Sequence, residues 1–530
     1  MKDRRVFLVS LITLMAFVSG GWLMQRPVQR NAGTRDSQRL FEQVLGYVAD
    51  LYVDSVDISD LYELAIEGML DQLNDPYTSF LRPREYQELS LSTTGNYGGV
   101  GIRIESRDGW VTIVGPLADT PGERAGLTSG DQITAIEGKS TEGWTTDQAA
   151  ALMRGEPGTD VQLTIVRAGL DEPLHFTITR ALIHVNYVEG STVVAPGIGY
   201  LNLTSVSQTA PRELMEAINE LRSQGGRELI LDLRTNPGGV LDQGVAIADL
   251  FLDRGDRVVE MKGRAERASQ IFTDERPQLW PDMLMIVLVG SRTASAAEII
   301  AGALQDHDRA LILGTRTFGK GTAYTLLRLT EAEALTVTTS RWYTPSGRSI
   351  DRPRFRHLPD QNVARALATQ DSLALDTTVA YRSESGRLLK GGGGIQPDVE
   401  VLDTLTAPEQ EFAQALGADV PKYRDALARY SLDIKARNTI TDEDFVVTDA
   451  MLQELLTLLR QKGATMPDSI WFGARDFLAE QLGLEITRYV FGRPAELHRR
   501  LRHDVQVARA IALFQRANTQ EQLLAIASSN

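Results

Sequence analysis

The sequence predicts a multidomain protein of mixed α+β and α/β class: a β-rich module placed before an α/β core, with helical regions at both ends. Three observations predict it. The chain has 530 residues, beyond the roughly 250 to 300 that one hydrophobic core supports. Its composition, 42% hydrophobic and 24% charged, is that of a folded globular protein. Its hydrophobic periodicity changes from helical spacing to short β-like runs, then to strand–helix alternation, and finally back to helix.

The N-terminus carries Lys2, Arg4 and Arg5, followed by Val6 to Met24 without a charged residue. At about 1.5 Å per residue that stretch is long enough to cross a bilayer. Because the basic residues come first, the N-terminus is expected in the cytoplasm and everything after Arg26 on the far side. A cleaved signal peptide is the alternative: Ser19, Gly20 and Gly21 suit it, but an Ala-x-Ala site is missing. Either reading exports the body of the chain. We expect an inner-membrane, single-pass protein with its body on the periplasmic or extracytoplasmic side.

Residues 1–26 thus form an anchor or signal peptide, and residues 27–92 a tether and helical N-terminal domain. In the latter, Phe41, Val44, Leu45 and Val48, then Leu61, Leu64 and Leu70, recur at helical spacing. The block Asp75-Pro76-Tyr77-Thr78-Ser79-Phe80-Leu81 ends that pattern. Residues 93–172 form the β-rich module, with runs Val100 to Ile104, Trp110 to Val114, Gln132 to Ile136 and Val161 to Val166 and one helix, Thr146 to Met153. The core, 173–403, alternates strands (Tyr200 to Leu203, Glu228 to Leu233, Leu284 to Val289, Ala310 to Leu313) with helices (Arg212 to Arg222, Leu241 to Leu252, Ala296 to Leu304), the mark of an α/β layer. A polar stretch at about 352–389 reads as a surface insertion. Residues 404–530 read as an appended helical C-terminal domain.

A formal charge of -15 offers no basic stripe for a phosphate backbone, so nucleic acid is excluded as a partner. The absence of cysteine excludes disulfides, Cys-ligated zinc, a thiol nucleophile and a lipobox.

The chemistry concentrates where the apolar run Leu284 to Val289 enters Gly290-Ser291-Arg292-Thr293-Ala294-Ser295-Ala296-Ala297-Glu298 and a helix begins. A small-residue turn between strand and helix presents a side chain at the carboxyl edge of a sheet, where α/β active sites lie. Ser295 is therefore a candidate nucleophile, and the amide of Ala296 a candidate oxyanion donor. Read alone, the window suits a helix-capping serine equally well. A serine nucleophile needs a base. Lys320, in Gly314-Thr315-Arg316-Thr317-Phe318-Gly319-Lys320-Gly321, follows the next strand, and neighbouring strands deliver both residues to one edge. Partial burial would have to lower its pKa from about 10.4; the alternative is a solvated loop lysine. His307 and His184 are the competing bases, and neither has the neighbourhood of a hydrolase triad. The turn Asp232-Leu233-Arg234-Thr235-Asn236-Pro237-Gly238-Gly239 ends another strand. Amides at Gly238 and Gly239 form an anion nest there, unless the pair serves only a positive-φ turn. The turn lacks the spacing of a phosphate loop.

These blocks, with Asp75 to Phe80 and Phe318-Gly319-Lys320-Gly321, together resemble the C-terminal processing (tail-specific) peptidases over about Leu40 to Val401. The resemblance implies a serine–lysine dyad at Ser295 and Lys320 and no cofactor. Many members place a glutamine four residues after the lysine to orient it; here Tyr324 stands there, and its hydroxyl is able to hydrogen-bond an amine. The β-rich module is similar to a PDZ domain. Its carboxylate loop would be Gly99-Val100-Gly101-Ile102, and its groove would lie between Ile102 to Glu105, including Ile104, and the helix carrying Ala149, Ala150 and Met153.

The resulting expectation is a serine endopeptidase of the cell envelope that recognises protein C-terminal tails through its PDZ domain and cleaves with the dyad. A catalytically impaired PDZ scaffold that only binds tails is the alternative, motivated by Tyr324. A structural helical assembly factor is a third reading, and it leaves Ser295 and Lys320 without a role. The partners expected are protein substrates with exposed apolar tails and the membrane through the N-terminal segment. By analogy with other flanked protease cores, a homo-oligomer and an adaptor protein are to be considered as well.

Overall fold

The computed structural model describes residues 35–167, 169–352 and 380–528. The Val6 to Met24 stretch and most of the 352–389 insertion lie outside the described residues. Among the described residues no helix is long and apolar enough to cross a membrane.

The chain divides into two units. The first contains, among the described residues, 35–82 and 326–337. Its helices are 35–51 and Ile58–Asp71, the second capped by Asp57, whose carboxylate accepts from Ser59 N at 2.7 Å. The Asp75 block is a turn followed by a strand. The Asp75 carboxylate accepts from Tyr77 N (3.0 Å) and Thr78 Oγ1 (2.6 Å), and Ser79–Leu81 then pairs antiparallel with Ala334, Leu335 and Thr336.

The second unit contains the β-rich module, the α/β core and the C-terminal helices. In the module, strands Ile102–Arg107, Trp110–Pro116, Gln132–Ile136, Asp160–Val166 and Leu174–Thr179 form an antiparallel sheet. Strand alternation fills its core: Val161, Leu163 and Ile165 are buried while Asp160, Gln162 and Val166 face out. The helix Thr146–Met153 matches its expected bounds because Thr145 and Gln148 close a capping box at its start.

The core is a six-stranded sheet in the order Val188–Ala195, Ile198–Leu203, Glu228–Asp232, Leu284–Val289, Leu311–Gly314, Val399–Glu400. All neighbours are parallel except the first pair. Met285, Val287 and Val289 point to the face covered by helices Ala210–Ser223, Leu241–Asp249 and Ala296–Asp306. Ile286 and Leu288 point to the other face. That face is covered by Val507, Leu513 and Phe514 of helix Val505–Phe514 and by Leu523 and Leu524 of helix Gln520–Ser528.

This cover corrects the expected domain division. Residues 407–490 do form a helical body with its own core, in which Phe412, Tyr423 and Trp471 pack edge to face. The last two helices instead belong to the protease sheet, because a parallel sheet is apolar on both faces and needs cover on each. The described end of the expected insertion is also part of the core. A hairpin of Tyr381–Arg382 and Leu388–Leu389 is pinned by Arg387 to Asp308 (2.5 Å) and Asp398 (2.6 Å). The carboxyl ends of the parallel strands release the loops 233–240, 290–295 and 315–321 at one edge of the sheet.

Candidate active site

Ser295 occupies the turn between strand Leu284–Val289 and helix Ala296–Asp306 with φ 54° and ψ −121°. This left-handed conformation is strained for a residue with a Cβ, by about 1–3 kcal/mol, and is sustained only by bonds around it. Thr293 Oγ1 donates to Leu233 O at 2.7 Å, and Ala294 N to Asn236 O at 3.0 Å. Ser295 N donates to Glu298 Oε2 at 2.8 Å. The sharp strand-to-helix elbow places the serine side chain at the sheet edge.

Glu298 is the residue that reading the sequence left without a role. It is fully buried, yet every printed partner of its carboxylate is a donor. Oε1 accepts from Thr317 Oγ1 (2.5 Å) and Gly319 N (2.7 Å), and Oε2 accepts from Ser295 N (2.8 Å) and Lys320 N (2.9 Å). Burial drives its pKa above the usual carboxylate value, and the four hydrogen bonds pull the other way. One carboxylate therefore ties the backbone of Ser295 to that of Lys320. The Ser-x-x-Glu spacing of a capping box was the available signal, but the longer-range partners were not legible from it.

Lys320 is half-buried, and its main chain is held from both sides: N by Glu298 and O by Trp342 Nε1 at 3.0 Å. Its loop is laid on the serine turn by Phe318 N donating to Thr293 O at 2.9 Å. Lys320 Nζ lies over the ring of Tyr324, 4.9 Å from its centroid. The contact of Tyr324 with the lysine is thus a cation–π contact and not the phenol hydrogen bond its hydroxyl suggested. Ser295 Oγ and Lys320 Nζ are not hydrogen-bonded to each other in this arrangement.

Of the three amides expected to hold an oxyanion, Gly238 N is already engaged, donating to Asn236 Oδ1 at 2.8 Å. Gly238 is required for another reason. Its φ is +93°, and a Cβ there would stand 2.6 Å from Ala294 O and 2.8 Å from Ser295 Cβ. Among the described residues, Gly239 N and Ala296 N make no hydrogen bond. They are the two donors left to face developing charge.

Both competing histidines have other work. His184 Nε2 pairs with Glu213 Oε1 at 2.7 Å and its Nδ1 with Asn96 Oδ1 at 3.0 Å. His307 sits at a helix end between Glu384 Oε2 (3.2 Å) and Arg257 O (2.8 Å).

In the β-rich module, Gly101 has φ +74° and no room for a Cβ, which would meet Thr120 Cβ at 2.4 Å. Gly122 N donates to Val100 O (2.7 Å) and Leu117 N to Gly101 O (2.9 Å), fixing the loop by its carbonyls. Among the described residues, the amides of Val100 and Gly101 are left unbonded, as a carboxylate loop requires. Gly99 packs with its Cβ position 2.8 Å from Tyr97 Cε2. Ile102 and Ile104 are half-buried beside the helix, whereas Ala149 (0% exposed) and Met153 (4%) face inward and belong to the packed core.

Family comparison agrees with this layout. A model of peptidase family S41 matches residues 197–363, one of the PDZ domain matches 112–167, and one of the N-terminal domain of the activating protease CtpB matches 23–83. The chain is 38% identical over 346 residues to a carboxy-terminal-processing protease of Bartonella bacilliformis, covering 63% of this chain and 79% of that one. It is 39% identical over 336 residues to a carboxyl-terminal-processing protease of Synechocystis sp. (62% and 77% covered), and 34% identical over 407 residues to one of Picosynechococcus sp. (72% and 95%). These relatives favour a working protease over a binding scaffold. The chain belongs to peptidase family S41, as a serine-type carboxyl-terminal processing protease with a PDZ domain.

Proposed function

We propose that Ser295 is the nucleophile and Lys320 the general base of this protease, acting on protein tails delivered by the PDZ domain. The observation that carries the reading is the Glu298 carboxylate, which bonds the amides of both residues at 2.8 and 2.9 Å and so holds the two backbones in one frame. Lys320 Nζ reaches Ser295 Oγ by side-chain torsion alone; such hydrogen bonds commonly tighten only with substrate in place. The amine takes the hydroxyl proton as Oγ attacks the scissile carbonyl. Gly239 N and Ala296 N hold the resulting oxyanion, and the ammonium returns its proton to the leaving amine. Water, deprotonated by the same lysine, then releases the acyl group. The test is labelling of the purified protein with a fluorophosphonate followed by peptide mapping. Label is expected on Ser295, and label confined to any other serine would overturn the assignment.

The free amides of Val100 and Gly101 support capture of a C-terminal carboxylate, with the tail adding a strand beside Ile102–Arg107 and burying its apolar side chains against Ile102 and Ile104. The apolar stretch Val6 to Met24 behind three basic residues supports a single-pass tether in the inner membrane, with the protease outside the cytoplasm. Leu40, Val44, Leu51 and Met69, exposed on the N-terminal helices, support a homo-oligomer.

For Tyr324 the ring face is the orienting element. Tyr324→Phe is expected to keep kcat within about twofold, whereas Tyr324→Leu, which removes a contact worth about 0.5–1 kcal/mol, lowers it about two- to fivefold. Steady-state kinetics on one peptide substrate check both, and a crippled Phe variant would return the role to the hydroxyl.

A further inference from the structure

The helix Val505–Phe514 lies beyond the stretch 197–363 that the family model matches, yet it reaches the loop that walls the nucleophile. The link is Asp504, at its N-cap. Asp504 Oδ1 accepts from Gln506 N (2.9 Å) and Val507 N (3.0 Å), which closes the first turn of the helix. Its other oxygen, Oδ2, stands 2.7 Å from Arg234 Nη2. The same guanidinium holds Asp232 Oδ2 at 2.6 Å through Nη2, and its Nη1 donates to Gln506 Oε1 at 3.1 Å. Asp232 in turn accepts the Tyr200 hydroxyl at 2.7 Å. The two acids lie mostly out of solvent, with side-chain exposures of 4% for Asp232 and 13% for Asp504. Although burial works against the charge on Arg234, the two carboxylates outweigh it and raise the guanidinium pKa above its ordinary value.

Arg234 opens the loop on which the serine turn rests. The carbonyl before it, Leu233 O, receives Thr293 Oγ1, and two residues on, Asn236 O receives Ala294 N. Gly238 then abuts Ser295, and Gly239 carries one of the two unbonded amides. The connection therefore runs from Asp504 through Arg234 to the backbone on both sides of the nucleophile.

Resting on the reading of Ser295 as nucleophile, we infer that Asp504 is a positioning residue: the C-terminal helix sets the oxyanion loop through the Asp504–Arg234–Asp232 relay. Asparagine at 504 retains the N-cap while removing the charge that faces Arg234, so it separates positioning from helix stability. The experiment compares full-length wild type with Asp504→Asn, Asp504→Ala, Asp504→Glu and Arg502→Ala. The last removes a surface ion pair with Asp444 in the same segment and is expected to change neither kcat nor KM. Loss of loop registration is expected to lower kcat about tenfold in the Asn and Ala variants with KM within about twofold, and Glu to restore most of it. Hydrogen exchange is read in parallel. In Asp504→Asn the 232–239 peptide is expected to exchange faster while the 505–514 helix is unchanged. Wild-type kcat in Asp504→Asn, or unchanged exchange at 232–239, would overturn the inference. A wild type that neither cleaves nor takes label at Ser295 would defeat the nucleophile reading instead, and the exchange at 232–239 would then decide the relay by itself.

Discussion

Replacing Lys320 by methionine is expected to lower kcat by at least about a thousandfold with little change in thermal unfolding. The large kinetic effect follows from the role of the amine: no other base stands ready to take the proton of Ser295. Both rings of the competing histidines are engaged, His184 by Glu213 and Asn96 and His307 by Glu384 and Arg257. The small structural effect follows from how Lys320 is anchored. Its backbone is held by Glu298 and Trp342 through N and O, which methionine also has. A stem of similar length still lies against Tyr324 and loses only the cation–π contact, about 0.5–1 kcal/mol. Kinetics on one peptide substrate, with circular-dichroism melts of both proteins, check the pair of expectations. Turnover in Lys320→Met close to that of wild type would remove lysine from the base role, and His307→Ala would be the next protein to assay.

Glu298→Gln is expected to be nearly as damaging to activity and far worse for stability. The carboxylate accepts two hydrogen bonds on each oxygen, from Thr317 and Gly319 on one side and from Ser295 and Lys320 on the other. An amide has one oxygen and one NH2 group, so in either orientation its NH2 faces two donors. Leaving buried polar groups unsatisfied in this way costs about 3–5 kcal/mol. If the NH2 points toward Ser295 and Lys320, the strained serine loses its tether and the two backbones separate. If it points the other way, the turn at Thr317 and Gly319 opens and carries Lys320 with it. A fall of about 100- to 1,000-fold in kcat is expected, together with a clearly lower melting temperature. Full turnover with an unchanged melt would show that the carboxylate merely fills space.

Much of the site was legible because its signals are local. The apolar run Leu284–Val289 followed by small residues places Ser295 on a strand-to-helix elbow, and Leu311–Gly314 brings Lys320 to the same edge one strand over. The helix Thr146–Met153 was readable from its cap, and Gly101 from a position that no side chain fits. Ala149 and Met153 were misplaced as groove residues because helical periodicity shows which residues share a face and not whether that face lines a groove or fills a core. Antiparallel strands such as Arg257–Gly263 and Gln270–Thr273 went unread because their mixed polarity has little alternation to detect.

By itself the sequence determined the order of the modules, the edge at which the chemistry sits and the two residues at its centre, since these follow from periodicity and turn chemistry within a few residues. Only the tertiary structure decided the rest. The four donors on Glu298 come from two separate loops, and whether Tyr324 offers its ring or its hydroxyl depends on side-chain torsions. Gly238 N lost its expected role to the side chain of Asn236. The C-terminal helices are the clearest case. Every residue of Leu284–Val289 is apolar, so the strand announces that both faces of the sheet need cover, but one-dimensional periodicity carries no address for the helix that supplies it.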